Sequence, residues 1–190
     1  MDYNLEKSVW TDLDFDVMGW HDCSIYKYQL IDGRLKFDVD YIFEWVNPAY
    51  TGMPYTFWIA PATWVFHGVT DFELDLKLSN DWRLEIDDVT RETNDGKIEW
   101  DIGTRQGYFH FNADGFTKFV REKPTLQYSQ QIPFNQRVWL SLEERTLEES
   151  NMRLPDEVVA QRVTQNRLYE LALSRHVLTD RLRSIQTEHD

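Results

Sequence analysis

The chain has a single cysteine, Cys23, so no internal disulfide can form. Its 8 glycines and 6 prolines in 190 residues are few, and with the many large apolar groups this argues against disorder except at the two ends. No apolar run approaches the ~20 residues that span a bilayer. The amino-terminal stretch MDYNLEKSVWTDLDFD is acidic and lacks a cationic start followed by an apolar run, so no secretory leader is read there. With the lone thiol, this predicts a reducing, cytoplasmic location. Positive charge is also scarce: 20 Lys and Arg face 33 Asp and Glu, a net charge of −13. Phosphate backbones and anionic lipid heads repel such a chain, which argues against nucleic-acid and membrane partners. The same field speeds encounter with a basic protein, the partner class expected here. The phosphate-binding patterns GxxxxGK[ST] and GxGxxG and the nucleophile elbow GxSxG are all missing. No cofactor is expected, and an enzyme is the least supported of the functional classes.

Large apolar side chains are plentiful. Hydrophobic residues make up 42 % of the chain and aromatics 15 %, with eight tryptophans, enough to build the core of one domain. From Cys23 to about Ile132 the apolar pattern has period two. Asp32-Gly33 and Asp95-Gly96 lie between alternating runs, the strongest short-range hairpin signal. In Arg34–Val46, Leu35, Phe37, Val39 and Tyr41 fall on one face, and Arg34, Lys36, Asp38 and Asp40 on the other, predicting one dry and one wet face. Pro61 is expected to divide the apolar run Tyr55–Val69 into two short strands or to bend one. Asp12, Asp14 and Asp16 alternate with Leu13, Phe15 and Val17, which reads as a short edge strand.

Eight to ten strands joined by short turns predict a mainly β (α+β) fold, an antiparallel meander forming a sandwich or partly open barrel over residues 1–138. Residues 139–190 are expected to be a helical extension. Pro155 suits a first helical turn, and Leu168, Leu171, Leu178, Leu182 and Ile185 make a heptad-like stripe. The resulting long C-terminal helix is expected either to pack on the β domain or to pair two copies as a homodimer through residues 155–187.

Five histidines and many carboxylates offer candidate chemistry. His21 and Asp22 stand together before the first long strand. Asp22 could fix the His21 tautomer for general-base work, or cap backbone N–H groups while Trp20 packs below. Asp38 and Asp40, two apart on one strand face, have a spacing that suits a carboxylate acid–base pair, though a mixed-charge wet face explains them without function. Trp45 and Trp58 flank the Pro- and Gly-containing loop and, with Tyr50 and Tyr55, are candidates for stacking a saccharide or apolar ligand. Trp82 and Trp100, in register with Leu84, Ile86, Ile98 and Ile102, read as core. His67 and His110 complete the ligand-binding candidates. No histidine pair has i,i+4 or HxH spacing, so no metal site is predicted, and Cys23 reads as an inert core thiol.

The segments WHDCSI (20–25), LKFDVDYIFEW (35–45), FWIAPATWVF (57–66) and GFTKFVREKP (115–124) together resemble an uncharacterised bacterial domain family. More loosely, the HD-x-x-I start followed by a hairpin with an L-x-x-D-x-D core is similar to small acidic immunity-type proteins. The resemblance covers about residues 15–125 and carries no catalytic residue onto this chain. Together with the net charge of −13 and the missing catalytic motifs, it points to a non-enzymatic protein-binding role, as an immunity-type protein or adaptor. The alternatives are a small-ligand or saccharide binder using exposed aromatics and a hydrolase using His21 and Asp22.

Overall fold

In the computed structural model, which describes residues 3–48, 53–77, 83–137, 139–149 and 155–187, both Asp-Gly pairs turn the chain as the sequence predicts. Asp32 and Gly33 have φ of 50° and 70°, and Asp95 and Gly96 have φ of 51° and 80°. Mirror-image hairpin turns need positive φ at both central positions, which Asp tolerates and Gly adopts freely. The first pair joins β2 (Ser24–Ile31) to β3 (Arg34–Val46), and the second joins β6 (Leu84–Asn94) to β7 (Lys97–Thr104).

The other strands are β1 (Val9–Thr11), β4 (Thr56–His67), β5 (Thr70–Leu76), β8 (Gly107–Asn112), β9 (Gly115–Val120) and β10 (Thr125–Gln127). All pair antiparallel, in the order β1-β9-β4-β3-β2-β6-β7-β8-β5, with β10 also on β4. Two three-stranded meanders, β4-β3-β2 and β6-β7-β8, are therefore joined through β2 and β6 and extended by the returning strands β9 and β5. The expected continuous meander is corrected in this respect. The sheet is open: β1 and β5 end it without pairing to each other.

Pro61 does not divide its segment. β4 is one strand, because Pro61 sits where the neighbour on one side changes. β9 pairs from Ala62 onward and β10 up to Ile59, so no ladder bond is lost for want of the proline N–H. The Pro61 carbonyl accepts from Arg121 N at 3.0 Å.

The core is aromatic. Trp20 stacks on Trp64 with ring centroids 3.9 Å apart. Phe37 meets Phe109 at 5.1 Å, Phe66 meets Trp100 at 5.0 Å and Phe111 at 4.8 Å, and Phe116 meets Trp100 at 5.7 Å. These contacts bring β3, β4 and β9 against β7 and β8 across one shared core. Burying each large side chain contributes roughly 1.5–3 kcal/mol. Trp100 is core as predicted, whereas Trp82 lies outside the described residues.

Two further expectations are corrected. Asp12–Val17 is a 3-10 helix, not a strand. The Asp14 carboxylate accepts from Thr11 N at 2.9 Å and pairs with Lys7, so its aspartates stabilise a tight turn that alternation alone mimics as a strand. Residues 139–149 do not begin a helical extension. They run as an irregular strap over the outer face of β3, and the Leu147 amide donates to Val120 O at 2.9 Å. The helix α1 spans Asp156–Thr187. Arg162 ties its start to the body, pairing with Glu122 and donating to Gln136 O. Leu168, Leu171, Leu178 and Leu182 are 60 to 64 % exposed, so they do not pack on the sheet. No helix among the described residues is long and apolar enough to cross a membrane.

Candidate functional site

Asp38 and Asp40 are fully buried, which overturns the expectation of a wet face on β3. Period two did place them opposite the core. What it could not show is the strap, whose residues 129–137 and 139–149 cover that face. Asp38 Oδ1 accepts from Arg121 and Arg137, and its Oδ2 accepts from Ser141 N at 3.0 Å. Asp40 Oδ1 accepts from Arg137, and its Oδ2 accepts from Tyr26 Oη and Ile132 N, both at 2.8 Å. The Arg137 guanidinium lies 4.3 Å from the Tyr26 ring. Burial raises the Asp40 carboxyl although Arg137 pulls it back, and burial lowers the Arg121 guanidinium although Asp38 holds it up. At the rim, burial raises Glu144 but hydrogen bonds from Lys36 and Arg34 outweigh it and lower the carboxyl. Every oxygen of the Asp38–Asp40 pair is engaged by protein. The pair is therefore a clamp that fastens the strap, and it presents nothing to a substrate.

His21 and Asp22 lie where β2 meets β6. Asp22 takes φ of 64°, and its amide donates to Ile86 O at 2.8 Å. Its buried carboxylate accepts from Gln130 Nε2 at 2.6 Å, not from the backbone groups expected of a cap. His21 Nδ1 stands 2.8 Å from Asp87 O, so that nitrogen must donate. Nε2 is left facing Asp22 at 3.4 Å. Arg105 pairs with Glu85 at 2.8 Å and reaches toward Asp22 and Asp87. Both ring nitrogens thus face protein partners, Asp87 O and the Asp22 carboxylate. Trp20 and Ile25 are core, as predicted, and so is Cys23, whose thiol burial pushes up to about 12.

The ligand-binding candidates do not gather in one place. Trp45 and Tyr55 are 41 % and 46 % exposed and meet edge to face at 5.8 Å, which is not a coplanar platform. Trp58 packs on Tyr3 at 5.4 Å, and Tyr50 lies outside the described residues. His67 closes the other end of β4, roughly 35 Å away at ~3.3 Å per residue, and bonds Thr117. His110 is on β8, on the outer face of the sheet.

That outer face holds the group of residues sequence reading missed. Cross-strand register places Glu73 and Asp101 on either side of His110, Asp75 beside Tyr108, and Glu92 opposite Glu99. Directly opposed residues share a face, so Glu73, Asp75, Glu92, Glu99 and Asp101 form one acidic plate across β5, β8, β7 and β6. His110 and Lys97 are cations within it, and Lys77 follows Asp75 at its edge, its amide donating to Gln106 O. His110 Nδ1 lies 2.8 Å from Asp101 and Nε2 3.3 Å from Glu99. The hydrogen bond with Asp101, reinforced by the nearby carboxylates, raises the imidazole above its ordinary value. Lys97 is drawn aside to Asp71 at 3.3 Å. Alternation marked these acids as outward-facing, but only the strand order brings four strands of them together.

Lys118 was also missed. It shares the inner face of β9 with Phe116 and Val120 and is fully buried. Its Nζ sits 3.1 Å from the centroid of the Tyr41 ring and 4.8 Å from that of Trp10, with no hydrogen-bond partner among the described residues. Burial lowers its pKa well below the usual lysine value.

No family model, curated protein or solved structure matches the chain.

Proposed function

We propose that the chain is a non-enzymatic protein-binding protein that docks a basic partner on the acidic plate of β5–β8. The observation that carries this reading is the plate itself: five carboxylates on one outer face, with Glu92 set directly opposite Glu99. Like charges opposed across a strand pair destabilise a sheet, so the arrangement is not one that folding alone favours. A cationic protein surface offsets that repulsion and is steered to it by the chain's net charge of −13. The state of the two sequence-predicted carboxylate sites supports the same reading, since Asp38, Asp40 and Asp22 are consumed by internal bonds.

The test compares the wild type with a triple charge reversal, Glu73→Lys, Asp75→Lys and Glu92→Lys, as affinity baits in native lysate at low salt. A basic protein retained by the wild type, released by added salt and lost from the variant is the expected result. Retention of no protein above background, or equal retention by the variant, overturns the reading.

A further inference from the structure

We propose that Glu99, Asp101 and His110 form a binding site for a divalent transition metal of the zinc class. One ligand atom from each side chain lies within 4.8 Å of the other two. The separations are set by the sheet. Asp101 and His110 are register partners on β7 and β8, and Glu99 is two residues from Asp101 on the same face. Such a site stands on paired strands, so its donors are held by backbone geometry and need only side-chain rotation to close on an ion.

The chemistry of the donors selects the cation. One imidazole nitrogen and two carboxylates suit zinc and its neighbours, whereas calcium and magnesium take oxygen alone. Asp101 at 2.8 Å fixes the proton on His110 Nδ1 and turns the Nε2 lone pair toward Glu99. Metal sites commonly orient a ligating histidine with a carboxylate in this way. Either Asp101 keeps that orienting role or it swings in as a ligand, and Glu73, directly across from His110 on β5, is the nearest further carboxylate by register. With Asp101 or Glu73 as the third donor, three protein donors leave a coordination position for water. The electrostatics agree: Glu92 and Glu99 are directly opposed, and a dication between Glu99 and His110 lowers their repulsion.

This inference does not rest on the protein-binding reading, and its test leaves Glu73, Asp75 and Glu92 unchanged. Metal-free protein is titrated with ZnCl2 by calorimetry at neutral pH, and the His110 ring signals are followed by NMR. One zinc per chain is expected, with the His110 ring signals shifting as it binds. His110→Ala and Glu99→Gln are each expected to weaken binding about tenfold or more. His21→Ala, at a surface histidine away from the plate, is expected to change nothing. Should a plate variant fail to fold, the wild-type ring signals decide. The proposal is overturned if zinc leaves those signals unmoved, if binding survives His110→Ala, or if calcium binds as tightly as zinc, which would mark a plain acidic surface.

Discussion

Arg137 reaches back 99 residues to ion-pair with Asp38, and the same guanidinium pairs with Asp40. Both carboxylates are wholly buried, and among the described residues Arg137 is the one cation that pairs with both. Removing one partner of a buried ion pair leaves uncompensated charge in a medium that solvates it poorly, at about 3–5 kcal/mol. Arg137→Met is expected to lower stability by that amount in urea unfolding. Adding Asp40→Asn is expected to recover part of the loss, because the orphaned charge is then removed and the two changes couple. A cost of less than about 1 kcal/mol for Arg137→Met would mean that the strap is not fastened to β3 in solution.

Cys23 gives a second test of the core. Its thiol is buried, and Ile42 N donates to its sulfur at 3.4 Å. Only the thiolate attacks a disulfide reagent, and burial pushes this thiol up to about 12. Native protein is therefore expected to leave Ellman's reagent unreacted at neutral pH, with one thiol released per chain in denaturant. Prompt reaction of the folded protein would contradict the packing around Trp20 and Cys23.

These two sites show what was legible in the sequence. The Asp-Gly hairpins were, because mirror-image turns demand residues that tolerate positive φ. So were the inward positions of β3, β7 and β8, because side chains alternate along a strand. The wet face of β3 was misread because its cover is an irregular strap with no period, held by Arg137 and Ser141 from far along the chain. Asp12–Val17 was misread because local Asp and Thr bonds, not burial, set its conformation. The acidic plate was invisible for another reason. Each strand showed its own outward carboxylates, but β5 pairs with β8, and nothing local specifies that neighbour.

The leucine stripe of α1 yields a third expectation. Leu171 and Leu178 are 60 % and 63 % exposed. Exposed side chains away from special features change stability by about half a kcal/mol or less when replaced. The double variant Leu171→Lys and Leu178→Lys is expected to unfold at the wild-type urea midpoint. A lower midpoint would show that the stripe is covered in solution, and its dependence on protein concentration would tell a second copy from the chain's own body.

Lys118 sets burial against ring contact. Desolvating an unpaired ammonium costs several kcal/mol, whereas a cation over an aromatic face recovers about 2 kcal/mol or somewhat more when desolvated. Desolvation wins, in keeping with the lowered pKa of this amine, which has Tyr41 on one side and no hydrogen-bond partner among the described residues. The sign of the pH effect follows. Below the unfolded value of about 10.4 the unfolded chain binds a proton that the folded chain holds less tightly, so this group's contribution falls as pH drops from there toward the folded pKa. Lys118→Met keeps the linear stem and removes the amine. It is expected to be more stable than the wild type by roughly 1–3 kcal/mol at about pH 7, with the gap narrowing as the pH approaches about 10. Urea midpoints of both proteins across that range make the comparison, and taking the difference cancels the titration of every other group. A variant less stable than the wild type at neutral pH would show that the rings of Tyr41 and Trp10 hold a charged Lys118 after all.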